Sequence, residues 1–213
     1  MCGRYGITDV QHIGERFQFS LDLDLSNIQP RYNAAPTQLL PVITERDGQR
    51  RLEVMPWGLV PSWAKDRHRP IINARAEGIQ DKPTFRTPFQ RQRCLVPATH
   101  FFEWQTAGTA KQPYLIRPTD QPLFAFAGLY DVHHDPAGGD RYRFAIITTT
   151  PNELTAPIHH RMPVILRPEH EGVWLAVQTA AWERQALLAP YAAAMEALPV
   201  DRSVNRAAPN RSQ

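Results

Sequence analysis

Cys94-Leu95-Val96-Pro97-Ala98-Thr99-His100-Phe101-Phe102-Glu103-Trp104 is the stretch whose reading decides the fold. It holds two short runs, Cys94–Val96 and His100–Trp104, rich in β-branched and aromatic residues and separated by a proline. Such runs are too short for a helix to bury a face and suit strands of a half-buried sheet. The same pattern recurs outward at Leu39–Thr44, Leu52–Trp57, Tyr114–Ile116, Leu123–Leu129, Tyr142–Thr148 and Pro163–Leu166. Twenty prolines in 213 residues argue against long helices, because proline lacks an amide donor and crowds the preceding turn. Helices are expected from a Thr8-Asp9 cap through Phe19, with Val10, Ile13 and Phe17 on one face. Others are expected at Thr84–Gln92, Asn152–Ala156, Glu169–Gln178 and Trp182–Met195, and residues 21–37 read as loop. The sum is an α+β fold. It is a single domain over residues 1–204 with a mostly antiparallel, curled or barrel-like β core and a few flanking helices. A polar, frayed tail is expected over residues 205–213.

Composition narrows the setting. No run of 18 apolar residues exists, and the chain does not open on a basic segment followed by an apolar one, so neither a membrane span nor a secretory signal is expected. Two cysteines, Cys2 and Cys94, exclude a disulfide scaffold and suit a reducing cytoplasm. No Cys/His group has zinc-ligand spacing, and no metal or cofactor is expected. Net charge is +3, yet only three of 24 basic residues are lysine, so 21 are arginine. Arginine forks phosphate and stacks on bases. A GC-rich genome would give the same bias, so composition permits nucleic-acid binding without demanding it.

Cys2 follows the initiator methionine. Removal of Met1 leaves a cysteine with a free α-amine, two nucleophiles on adjacent carbons. The amine can form a Schiff base with an aldehyde, and the thiol can close on the imine carbon to give a thiazolidine. An α-amine titrates near 7.7–8.0 and a thiol near 8.5, so modest local tuning would make either reactive at neutral pH. Cys94, in an apolar strand, reads as inert core.

Alternation along strands sorts the other polar residues. Phe102 and Trp104 share one face of their strand and Glu103 takes the other, pointing either to solvent or into a cleft that raises its pKa. In Ile158-His159-His160-Arg161-Met162-Pro163, extended geometry puts His159 and Arg161 on one face and His160 on the other. That pair reads either as an anion site with a proton donor or as a solvated turn. Asn73, Arg75 and Glu77 share a face if extended, offering an amide and a phosphate fork, or form a surface strand. Trp57 reads as core, and Trp63 as a stacking platform for a base.

These segments, in this order, resemble the SOS response-associated peptidase (SRAP) family, also described as abasic-site processing proteins. The matching pieces are Met1-Cys2-Gly3-Arg4, Arg31-Tyr32-Asn33, Ala35-Pro36-Thr37, Trp57-Gly58-Leu59 with Pro61 and Trp63, and Asn73-Ala74-Arg75-Ala76-Glu77. They continue with Arg93-Cys94-Leu95-Val96-Pro97, Phe101-Phe102-Glu103-Trp104 and His159-His160-Arg161-Met162-Pro163, with a weaker echo at Pro199-Val200 and Ser203-Val204-Asn205. The resemblance implies a sensor of abasic sites in single-stranded DNA, including single/double-strand junctions. It would crosslink through a thiazolidine at Cys2 after Met1 is removed, by self-processing or by an aminopeptidase, and so protect the lesion during the DNA damage response. It implies catalytic roles for Cys2, Asn73, Glu103 and His159, and DNA contacts at Arg4, Asn33, Trp63, Arg75 and Arg161. A lyase outcome is implied when ring closure is blocked. The expected protein is a monomer in the cytoplasm, on the nucleoid when engaged. Two other readings stand beside this one: a thiol peptidase with Cys2 as nucleophile and His159 as base, and a non-covalent reader of single-stranded or modified DNA.

Overall fold

The structure is a computed structural model and describes residues 2–19, 28–61, 70–135 and 139–207. Two antiparallel sheets carry the fold, as the strand pattern predicts. The first has the order β13-β8-β7-β1-β2, where β1 is Tyr5–Ile7, β2 Arg31–Ala34, β7 His100–Ala107, β8 Ala110–Pro118 and β13 Met195–Pro199. The second runs β11-β10-β9-β6-β3-β4, built from β3 Leu39–Arg46, β4 Gln49–Pro56, β6 Arg93–Ala98, β9 Phe124–Asp135, β10 Gly139–Thr149 and β11 Met162–Pro163. Two short strands join it: β12 Ile165–Leu166 pairs with β9, and β5 Asn73–Arg75 lies parallel to β10. This sheet curls without closing. A single bridge, Trp57 to Phe144, brings the end of β4 beside β10.

Local chemistry explains the hairpins. The β3–β4 pair turns on Asp47-Gly48, both at positive φ, directly after the Arg46–Gln49 pair. An Asp-Gly dipeptide takes that two-residue turn with little strain. The inner faces meet in an aromatic core. The Tyr5 ring meets Trp57 at 5.2 Å and Phe126 at 5.8 Å, both edge-on, and Trp57 stacks on Phe144. Trp57 and Cys94 are fully buried, as expected of core residues.

Among the described residues the α-helices are fewer than the sequence suggests, and all but Pro83–Arg91 are shorter. Helix α1 covers Ile13–Phe17 only, and Gln18 leaves it in a left-handed conformation. Helix α2, Pro83–Arg91, starts on a proline and buries Phe85, Pro88 and Phe89. Helix α3 is Pro168–Leu175 and α4 is Ala181–Ala186. The expected helix at 152–156 is a run of turns, in which Asn152 Oδ1 accepts from the amide and hydroxyl of Thr155. Asparagine offers the backbone that alternative to a helix. The helix expected to reach Met195 stops at Ala186. Pro190 cannot continue it, and Met195–Pro199 pairs with β8 instead. Among the described residues no helix is long and apolar enough to cross a membrane.

Several arginines that look like surface charge are structural. Arg93 is buried and donates to the carbonyls of Phe89, Trp174, Leu175 and Ala176, where α2 and α3 end. Arg184 donates to Phe89 and Gln90. Cations at helix C-termini satisfy carbonyls that have no partner within the helix.

Candidate active site

The two sheets meet at Cys2. From the first sheet, β1, which starts three residues after Cys2, pairs with β7 through Tyr5–Phe101, which brings Glu103 near. From the second, β10 pairs with β5 at Ile146–Asn73 and with β11 at Thr149–Met162, which brings Asn73 and the turn bearing His159 to the same seam. Two contacts cross it. Asn73 Nδ2 donates to the Cys2 carbonyl at 2.8 Å, and His159 Nδ1 lies 3.9 Å from Glu103 Oε1. Cys2, Asn73, Glu103 and His159, far apart in sequence, thus converge.

Burial sets their acidities. Glu103 is 3% exposed, so its side chain faces a cleft rather than solvent. Burial pushes its carboxyl up to about 7. Burial lowers the pKa of His159, and the neighbouring His160 and Arg161 also oppose its positive charge. A true ion pair would lower the Glu103 pKa and raise that of His159. Both shifts run the other way, so at 3.9 Å desolvation outweighs pairing. His159 Nδ1 lies 3.0 Å from the Arg161 amide nitrogen and 3.1 Å from the Arg161 carbonyl oxygen, so it can accept from the one or donate to the other according to the tautomer of the ring. The fully buried Cys2 thiol is raised well above its ordinary range by burial and then by Glu103, and lies 3.8 Å from the Arg4 carbonyl. Local tuning therefore does not make this thiol a thiolate while Met1 is attached. Asn73 Oδ1 and the Tyr5 hydroxyl are buried with no hydrogen-bond partner among the described residues.

Residues 153–158 form turns, His160 sits in a bend and β11 starts only at Met162, so 158–162 is not one extended run. The expected facing changes with it: His159 and His160 stack at 4.3 Å instead of pointing apart, and the Arg161 guanidinium leaves His159 altogether. It grips both oxygens of Glu77, at 2.6 and 2.9 Å, and donates to the Thr148 carbonyl. Arg4 is similarly engaged. It donates to Asn33 Oδ1 and to the carbonyls of Val204 and Asn205, while Asn33 Nδ2 donates to the carbonyls of Val204 and Arg206. Arg75, in contrast, is exposed. Trp63 lies outside the described residues.

A cleft of about 800 Å³ opens beside Glu103 and His159. It is lined by Glu103, Trp104, Thr106, Lys111, residues 156–158, His159, His160 and Asn205. The Trp104 indole N–H donates to Asn205 Oδ1 at 2.7 Å. Arg202–Asn205 form a short 3-10 helix, whose end closes this side of the cleft with Asn205. Sequence reading missed the anchoring role of Glu77 and the packing of residues 204–206 on Arg4, Asn33 and Trp104. The only signals were Glu77 ending its motif and the faint echo around Ser203-Val204-Asn205. Among the described residues no group of three or more metal-ligating side chains is present.

Comparison with known proteins matches these features. The family model "SOS response associated peptidase (SRAP)" fits residues 1–207. The abasic site processing protein YoqW of Bacillus subtilis (strain 168) is 42% identical over 211 residues, covering 96% of this chain and 94% of that protein. The abasic site processing protein HMCES of Gallus gallus is 33% identical over 171 residues, covering 65% of this chain and 51% of that one. A crystal structure of a protein from Bacteroides thetaiotaomicron superimposes with a TM-score of 0.85 at 32% identity, over 95% of this chain and 93% of that one.

Proposed function

Since this chain belongs to the SOS response-associated peptidase family, we propose that it processes abasic sites in DNA by covalent capture of the lesion through Cys2. The observation that carries the reading is the seating of Cys2. Its carbonyl is held by Asn73 at 2.8 Å in a buried seam, beside a carboxyl whose pKa is raised to about 7. An α-ammonium titrates at about 7.7–8.0, so a base near 7 is matched to taking its proton without being permanently ionised.

The chemistry then runs as follows. Removal of Met1 turns the Cys2 amide nitrogen into an amine. An abasic sugar equilibrates between a closed ring and an open aldehyde. His159 donates toward the ring oxygen and favours the open form. Glu103 takes one proton from the Cys2 ammonium, and the amine attacks the aldehyde carbon to form a carbinolamine. Glu103 returns that proton to the departing hydroxyl, water leaves, and a C=N bond forms. The thiol then adds across it: sulfur bonds to carbon, the S–H proton passes to nitrogen, and a thiazolidine results. Burial keeps the thiol protonated, so its proton must leave for the imine nitrogen as the C–S bond forms. The same raised pKa disfavours the thiol-peptidase reading, which needs a thiolate.

Asn73 orients Cys2 through Nδ2, and its unpartnered Oδ1 is an acceptor for the new amine or a sugar hydroxyl. Exposed Arg75 supplies phosphate contact directly. Arg4, Asn33 and Arg161 are engaged inside the protein and act on DNA only through spare N–H edges or by exchanging partners. The test is a denaturing gel after incubating the Met1-processed protein with single-stranded DNA bearing one abasic site. A shifted band that is lost in Cys2→Ser is expected. No shifted band with the unsubstituted protein refutes the proposal.

A further inference from the structure

The segment that carries His159 lies between strands. β10 ends at Thr149 and β11 starts at Met162, and residues 150–161 form neither helix nor strand. Strand pairing therefore does not hold the His159 ring near Glu103, where Nδ1 lies 3.9 Å from Oε1. Side chains do, and Asn152 is at the centre of them. Its Oδ1 accepts from the Thr155 amide at 3.0 Å and from the Thr155 hydroxyl at 2.9 Å. Its carbonyl accepts from the Ala156 amide at 2.9 Å, and its own amide donates to the Met162 sulfur at 3.3 Å. The Thr155 carbonyl in turn accepts from the amides of Ile158 and His159, both at 2.9 Å. Asn152 thus grips the segment at its start and, through Met162, at its far end. Its Nδ2 fastens the whole to the body of the protein by donating to the Tyr191 carbonyl at 3.0 Å. Tyr191 is 3% exposed and is itself pinned through its hydroxyl to Asp120 and Gln121.

We propose that Asn152 is a positioning residue for the capture reaction, one that sets where the His159 ring stands against Glu103. The inference rests on the reading that His159 is the acid that opens the sugar. Thr155 passes the constraint on. It is 2% exposed, so its bonds to Asn152 are sheltered from water and hold their geometry. The tie from the opposite sheet is weaker. Gln105 Nε2, on β7 with Glu103, donates to the Pro157 carbonyl at 3.0 Å, but at the surface, where water competes for both groups. Asparagine fits position 152 because one short arm must offer an acceptor to Thr155 and a donor to Tyr191. An ionised aspartate has the acceptor and lacks the donor.

The first readout needs no DNA. The His159 imidazole is titrated by NMR in the Met1-processed protein carrying isotope-labelled histidine. The chain has eight histidines, so the His159 signal is assigned by its loss in His159→Ala. Burial holds the His159 pKa below its ordinary value. Asn152→Ala should let the ring reach water and return that pKa toward about 6.5. The second readout is the crosslinking rate at saturating single-stranded DNA bearing one abasic site. Asn152→Ala should slow it about 10- to 100-fold, the scale of misplacing a catalytic group, with little change in the DNA concentration that gives half the maximal rate. In His159→Ala the same substitution should slow it no further, because Asn152 acts through that ring. Thr155→Val should shift both readouts the same way by less, and Thr155→Ser, which keeps the hydroxyl, should restore them. That pair decides the matter if Asn152→Ala does not fold. A His159 pKa unchanged by Asn152→Ala and by Thr155→Val overturns the inference, as does an undiminished loss of rate when Asn152→Ala is added to His159→Ala. If the unsubstituted protein forms no crosslink, covalent capture is refuted, and the titration still decides whether Asn152 places His159.

Discussion

Glu103 offers a direct measure of what the seam costs. Its carboxyl is 3% exposed, and burial carries its pKa from 4.5 to about 7. An upward shift of that size means that folding opposes ionisation by about 3 kcal/mol. Below pH 4.5 the side chain is neutral folded or unfolded, and there is no cost. Between 4.5 and 7 the unfolded chain releases its proton first, and stability falls by about 1.4 kcal/mol for each pH unit. Above 7 both states are ionised and the loss levels off. Glu103→Gln keeps the shape and cannot ionise. Its stability advantage over the natural protein should therefore be about 3 kcal/mol larger at pH 8 than at pH 4.5. Urea denaturation at pH 4.5, 6 and 8 measures it through the midpoints at constant slope. Crosslinking by the natural protein should rise with pH through an apparent pKa near 7, and the substitution should slow it and remove that step. Parallel stability profiles for the two proteins, or a gap that shrinks toward pH 8, would refute the assignment of burial as the dominant cause.

Other substitutions probe the surroundings of the site. A Cβ on Gly6 would sit 2.1 Å from His100 Cε1, and that ring is held by the Tyr32 carbonyl and Thr99. Gly6→Ala should cost about 3 kcal/mol or more, seen as a fall in Tm, and His100→Ala in the same chain should recover part of it. Arg161→Lys loses the two-pronged grip on Glu77. Because Glu77 is 54% exposed, the loss should be only about 1 kcal/mol in chemical denaturation, yet crosslinking should slow as the His159 turn loosens. Arg93→Met strips four carbonyls of a buried donor and should cost about 3–5 kcal/mol by the same measure. Arg75→Gln should weaken DNA binding alike for all sequences and lower the salt slope by about 0.7.

Much of the sheet framework was legible because strand alternation is a local property. Phe102 buried, Trp104 on its face and Glu103 opposite follow from period two alone, as do Trp57 and Cys94 in the core. The failures share a different origin. Residues 187–195 look helical by composition, but pairing of β13 with β8 is settled by a strand some eighty residues away. The expected facing of His159 and His160 assumed an extended backbone. The segment follows turns and holds a bend instead, where that alternation does not apply.

The arginines carry the same lesson. A guanidinium in sequence reads as a surface charge waiting for phosphate. Only the packed chain shows Arg161 against Glu77, Arg4 against Val204 and Asn205, and Arg93 on two helix ends.

By itself the sequence determined the strand-rich α+β class, the motif residues in order, and a cysteine directly after Met1. These depend on side-chain type and short-range period, which the chain carries locally. Only the tertiary structure decided that Cys2 and Glu103 from one sheet meet Asn73 and His159 from the other, that Glu103 is buried enough to sit near 7, and that the thiol stays protonated. Acidity and reach depend on what has been removed from water and what has been brought beside it. Both are set by contacts between residues far apart in the chain.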